Sequence, residues 1–187
     1  MTRKWMAVLL LVVMLFASLP VQASGIWEPG AYVNLLAEQR LATRNGPGTK
    51  YRETASFDLA GSYVKVLSRA WDHNDICWVE CEVEYRGRLA RVYTGLKRFA
   101  CPDPSQIPVG EELLFKARAI KTVRAQYGPG PEYVSYDKLF MDKGQIVELI
   151  RIEGDYAQVD WTTSVQSYRV WVPLDAISCP DLMTYGL

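Results

Sequence analysis

One pattern is written in this chain twice, and that constrains its folding more than any other feature. Gly46-Pro47-Gly48-Thr49-Lys50-Tyr51 recurs as Gly128-Pro129-Gly130-Pro131-Glu132-Tyr133, and an arginine precedes each run, Arg44 and Arg124. Arg91-Val92-Tyr93 recurs as Arg169-Val170-Trp171, Leu96 as Leu174, and Cys101-Pro102-Asp103 as Cys179-Pro180-Asp181, all at one offset of 78 residues. Trp78 falls opposite Tyr156 at the same offset. An ordered recurrence of this kind marks a duplication, so each copy should be one small structural unit.

Each copy reads as β-structure. Residues 63–67 form a short apolar run. Val79, Cys81, Val83 and Tyr85 then alternate with Glu80, Glu82 and Glu84. That period of two predicts a strand with one buried face and a glutamate face in solvent. Residues 146–152 and Ala157, Val159 and Trp161 play the same parts in the second copy. Gly-Pro-Gly fits neither strand nor helix interior and marks a sharp loop. Gly61 and Gly144 stand before their strands as turn residues. The stretch 34–39 is ambiguous between helix and strand.

In order, these residues resemble the bacterial SH3-like domain. The second copy is the closer match: Thr122-Val123-Arg124, Gly128-Pro129-Gly130, Gly144, Gly154-Asp155-Tyr156 and Val170-Trp171-Val172. The first copy has five more residues between Gly61 and Trp78, in a stretch holding Trp71, Asp72 and His73. The family's closing glycine is replaced in both copies, by Ala90-Arg91 and Tyr168-Arg169. The resemblance implies an all-β fold of two tandem small barrels, over 24–101 (with a lead-in) and 113–180, with a linker 102–112 and a tail 181–187. It also implies peptidoglycan peptides as the ligand class. Such domains often accompany cell-wall hydrolases, and the two repeats leave no room here for a hydrolase domain. A unit of about 65 residues buries only about 60% of its unfolded surface, so the copies are expected to support each other.

Residues 1–23 read as a cleaved secretory signal peptide. Arg3 and Lys4 precede an uncharged run over 6–19, then Pro20 and Val21-Gln22-Ala23. A periplasmic or secreted protein is therefore expected. The remaining 164 residues carry 19 basic and 21 acidic side chains, a net charge of 19 − 21 = −2. That balance supplies no basic surface for nucleic acid. No second apolar run is long enough to span a bilayer.

In an exported chain, Cys77, Cys81, Cys101 and Cys179 are disulfide candidates. Four residues of extended strand separate Cys77 from Cys81 by about 13 Å, beyond the reach of a bond. Two complete pairings remain, each with one bond inside the first copy and one between copies. One bond with two free thiols, Cys81 being a small apolar core residue, stays open beside them.

The candidate chemistry is binding. A metal site built from His73, Cys77 and Cys81 would spread over a strand and a loop instead of a tight turn. No metal and no cofactor is expected. His73 is the one histidine available as a base, and it reads as an exposed loop residue, so a non-catalytic protein is expected. Gly-Pro-Gly without a following helix or lysine does not form a phosphate cradle. Tyr51 and Tyr133, after the loops, and Tyr127, before the second loop, are the candidate ligand contacts. Arg44 and Arg124 suit a ligand carboxylate, or brace their own loops. Tyr93 and Trp171 read as core. The expected ligand is a cell-wall peptide or an envelope protein. The alternative is an accessory or inhibitor subunit that meets its partner through the insertion at 71–75.

Overall fold

The computed structural model describes residues 32–110 and 112–184; the expected signal peptide lies outside the described residues. The fold is all-β. The first half contains β1 (Val33–Ala37), β2 (Leu41–Arg44), β3 (Glu53–Phe57), β4 (Tyr63–Trp71), β5 (Cys77–Tyr85), β6 (Arg88–Gly95) and β7 (Phe99–Ala100). The second contains β8 (Phe115–Ala119), β9 (Val123–Gln126), β10 (Ser135–Met141), β11 (Ile146–Glu153), β12 (Tyr156–Thr162), β13 (Ser167–Pro173) and β14 (Ile177–Ser178). Each set makes one antiparallel sheet. The orders, β3-β2-β6-β5-β4-β1-β7 and β10-β9-β13-β12-β11-β8-β14, agree strand for strand. The ambiguous stretch at 34–39 is mostly β1, paired with β4 and β7.

Each sheet packs its own core. Val79, Cys81, Val83 and Val92 fill the first with Leu41, Phe99 and Ile107. Leu149, Val159, Trp161, Val170 and Met141 fill the second. The period of two in β5 is therefore as expected, but its other face is not in solvent. Glu80 is 0% exposed and Glu82 is half-buried; Glu84 alone of the three is exposed. The second half covers the glutamate face, and alternation cannot distinguish water from a neighbour that supplies arginines.

The cysteines also depart from expectation, since all four are free thiols. Cys81 lies in the first core and Cys179 in the second. Cys81 and Cys179 each fill their own half's interior and cannot meet, and Cys77 is free as well, so neither expected bond between the copies is made. Burial pushes the Cys81 thiol far up, and it stays protonated.

The linker is not a free tether. Asp103 caps a single 3-10 turn, Pro104–Gln106, by accepting a hydrogen bond from the Ser105 N–H. Ile107 is buried in the first core. The Arg69 N–H then donates to the Pro108 carbonyl (2.8 Å), and the Gly110 N–H to the Arg69 carbonyl (3.0 Å). Beyond β14, Pro180–Thr184 forms one short helix, and among the described residues no helix is long and apolar enough to cross a membrane.

The extra residues of the first half lengthen the β4–β5 hairpin. Its tip is tied by Asp72. One carboxylate oxygen accepts the N–H groups of Asn74 (2.9 Å) and Ile76 (3.1 Å), and the other accepts the Trp78 indole N–H (3.0 Å). Burial would raise the Asp72 carboxyl, but these donors hold it below the usual range. His73 is exposed beside Asn74.

Candidate functional site: a groove between the halves

The two Gly-Pro-Gly loops do not face outward; each enters the other half. The Tyr51 hydroxyl donates to Asp160 on β12 (2.5 Å), and the Tyr133 hydroxyl donates to Glu82 on β5 (2.5 Å). Asp160 and Glu82 are equivalent positions. So are Arg169, which pairs with Asp160 (2.8 Å), and Arg91, which lies 3.5 Å from Glu82. The backbone repeats the reciprocity. Leu89 donates to the Glu132 carbonyl and accepts from the Val134 N–H, while Ser167 donates to the Lys50 carbonyl and accepts from the Arg52 N–H. The glycines make this possible. A Cβ at Gly46 would come within 2.4 Å of the Tyr51 ring, and one at Gly128 within 2.0 Å of the Tyr133 ring. Only a residue without a side chain lets the tyrosine fold over its loop.

Tyr51 is 1% exposed and Tyr133 4%. Both were expected to meet a ligand. They are occupied within the molecule instead, and burial raises both phenols so that they remain hydrogen-bond donors.

A buried polar network fills the middle of the interface. Arg151 pairs with Glu80 at 2.6 Å, and the Gln158 amide N–H₂ lies 3.4 Å from Glu80 and from the Tyr93 hydroxyl. Arg91 reaches Glu153 with two hydrogen bonds, 2.6 and 2.8 Å, and Arg169 reaches Glu112 at 2.6 Å. Trp171 lies under two guanidinium groups, Arg91 (5.5 Å) and Arg151 (5.0 Å). Tyr93 and Trp171 are buried, as expected, although at the seam between halves. Burial would raise the Glu80 carboxyl, but Arg151 and Arg91 hold it below the ordinary value of 4.5.

The seam opens on one side into a cavity of about 410 Å³. Residues 52–55, at the start of β3, form one wall, and residues 134–139, mostly β10, the other. Both strands lie at the edge of their sheets. Each therefore presents a row of backbone N–H and C=O groups away from its own sheet. Between the walls runs a line of aromatic rings. Phe57 meets Tyr85 edge-on (5.8 Å), Tyr85 meets Tyr127 (6.1 Å), and Tyr127 stacks on Tyr136 (3.9 Å, 12° between planes). Arg86 lies over Tyr85 (5.0 Å) and bridges to Asp137 of the other half (3.2 Å). Arg52, Lys138 and Glu53 complete a rim of mixed charge.

Of the expected ligand residues, Tyr127 is the one that lines this groove. Arg44 braces its own loop, donating to the carbonyls of Thr49 (3.3 Å) and Tyr51 (2.6 Å) and pairing with Glu53 (2.6 Å). Arg124 is exposed and lies over Phe140 (5.3 Å). The two arginines are not equivalent. Arg44 stands opposite Tyr93 and Gln126 opposite Trp171, so the counterpart of Arg44 is Gln126. Tyr85, Tyr136 and Arg52 were missed. Sequence shows them as strand or loop-end residues of separate copies, and only the packing of the halves joins them. No protein-family model matches the chain, and no curated protein is significantly similar to it.

Proposed function

We propose that the protein is a non-catalytic binding module that acts outside the cytoplasm, and that its ligand is an extended peptide of the cell wall or of an envelope protein. One observation carries this reading: a tyrosine-floored groove lies between two edge strands, one from each half. An extended peptide can add to a sheet edge through main-chain hydrogen bonds, while pockets beside it take alternate side chains. Tyr85 and Tyr127 are part-exposed and offer apolar surface, with Tyr136 buried and stacked against Tyr127. Arg52, Arg86 and Lys138 with Glu53 and Asp137 offer partners for the carboxylates and amines that wall peptides carry. The sequence resemblance to SH3-like domains and the secretory start support the same compartment and ligand class.

The test is retention on purified cell-wall sacculi, with capture of envelope proteins as the second arm. Arg52→Glu and Lys138→Glu, exposed on opposite rims of the groove, should abolish retention without unfolding the protein. Failure of the native protein to bind either sacculi or an envelope protein would sink the reading.

A second reading rests on the hairpin tip. Trp71 is 48% exposed and Ile76 45%, on a tip that Asp72 holds rigid. An accessory subunit would use that surface on a protein partner, and Trp71→Ala, not the groove variants, would then break the complex.

A further inference from the structure

The duplicated register also builds a second kind of cleft, once in each half. In the first half Trp78 stands opposite Gly95; in the second Tyr156 stands opposite Pro173. The residue after each Gly-Pro-Gly, Thr49 or Pro131, closes one side. The 3-10 turn after the sixth strand, Leu96–Arg98 or Leu174–Ala176, closes the other and contributes Lys97 or Asp175.

Equivalent in place, the clefts are opposite in sign. Arg44, Lys97 and Arg98 line the first, a cavity of about 360 Å³, with the hydroxyls of Thr49, Thr54 and Ser56. Its one carboxylate, Glu53, is held by Arg44 at 2.6 Å. Lys97 makes no ion pair among the described residues and is exposed. The wall is apolar, formed by Ile76 and the Trp78 ring. The second cleft has Asp155 and Asp175 beside two prolines; Lys121 holds Asp175 at 2.8 Å, and Asp155 leaves the lining acidic. Pro131 lacks the hydroxyl of Thr49, and the Pro173 ring fills space that Gly95 leaves open.

We propose that the first-half cleft is a binding site for a carboxylate carried on an apolar body, and that its second-half counterpart is not. Lys97 and Arg98 meet the anion, the hydroxyls donate to it, and Ile76 and Trp78 cover the apolar part. Charge-assisted hydrogen bonds in a partly enclosed site are the strong ones. This site goes beyond the groove and is separate from it, with β3 as the common wall.

The experiment is an NMR titration of the full mature chain, read at the Trp78 indole N–H and the Gly95 and Lys97 amides. The probes are N-acetyl-leucine, the tripeptide Gly-Gly-Leu with a free carboxylate, and N-acetyl-leucinamide. Shifts with both acids assign the site to the carboxylate as such; shifts with the tripeptide alone assign it to a peptide chain end. Lys97→Glu should weaken binding by about tenfold or more, and Arg52→Glu, which lies on the groove rim and outside the cleft, should leave the indole response in place. The proposal is overturned if the amide shifts these signals as the acids do, if the Tyr156 and Asp175 amides respond instead, or if no probe shifts the indole at millimolar concentration.

Discussion

Across their seam the two halves repeat each other's contacts away from the pseudo-two-fold line and differ on it. Tyr51 with Asp160 and Arg169 repeats Tyr133 with Glu82 and Arg91. Each is a contact between unlike positions, so the same set of residues serves it twice, as in an isologous dimer. On the pseudo-two-fold line an equivalent pair would meet itself. There Glu80 lies against Gln158, not a second glutamate, and β11 places Arg151 where β4 has Ser68. Two buried carboxylates at that distance could not both ionise. Duplication therefore preserves the contacts between unlike positions and must break identity at the centre.

The largest effect is expected at this centre. Arg151→Met leaves Glu80 buried without its closest cation and should cost about 3–5 kcal/mol in urea unfolding. The pH dependence follows from the sign of the Glu80 shift. Its folded value is depressed, so its stabilisation is present above the ordinary glutamate range and is lost as pH falls through the folded value. In Arg151→Met that carboxylate is penalised instead, so the gap in urea midpoint between variant and native protein should narrow on acidification from pH 7 toward 4. A constant gap would show that Arg151 does not set the titration.

Next in size are Tyr51→Phe and Tyr133→Phe. Each removes a hydrogen bond to a charged acceptor and should cost about 1–2 kcal/mol, the two agreeing within about 0.5. Unequal costs would show that the loops are not energetic equivalents. Arg44→Ala should cost about 1 kcal/mol by releasing its loop, and Arg124→Ala should stay within about 0.5. Thiol labelling makes the smallest demand, since it perturbs nothing. Cys77 and Cys101 should react in the native state, and Cys81 and Cys179 only after unfolding, with no linked peptides between the halves under non-reducing conditions.

Much of the fold was legible because it rests on local chemistry. Gly46-Pro47-Gly48 and Gly128-Pro129-Gly130 mark sharp loops, the Val79–Val83 alternation marks a strand, and the 78-residue offset marks the repeat. What lay between the copies was hidden. Glu80 and Glu82 have the pattern of a wet face, and Tyr51 and Tyr133 that of a loop-borne ligand contact; both are explained only by the other half. The matching of Arg44 to Arg124 followed residue type. Counting back two residues from each loop's first glycine leads to Gln126, and that spacing was readable. Tyr127 stood out because nothing like it precedes the first loop, where Asn45 takes its place, and an unmatched residue was the better guide to the groove.

The reciprocal loops also decide what the linker is for. Tyr51, Tyr133 and the two bridges at Leu89 and Ser167 hold the halves from both directions, while the linker lies along β4 with Ile107 anchored in the first core. A protease that cuts near Ser105 would sever the chain and leave the molecule assembled. Covalent continuity here sets the local concentration of one half around the other, and the interlocked loops set their orientation.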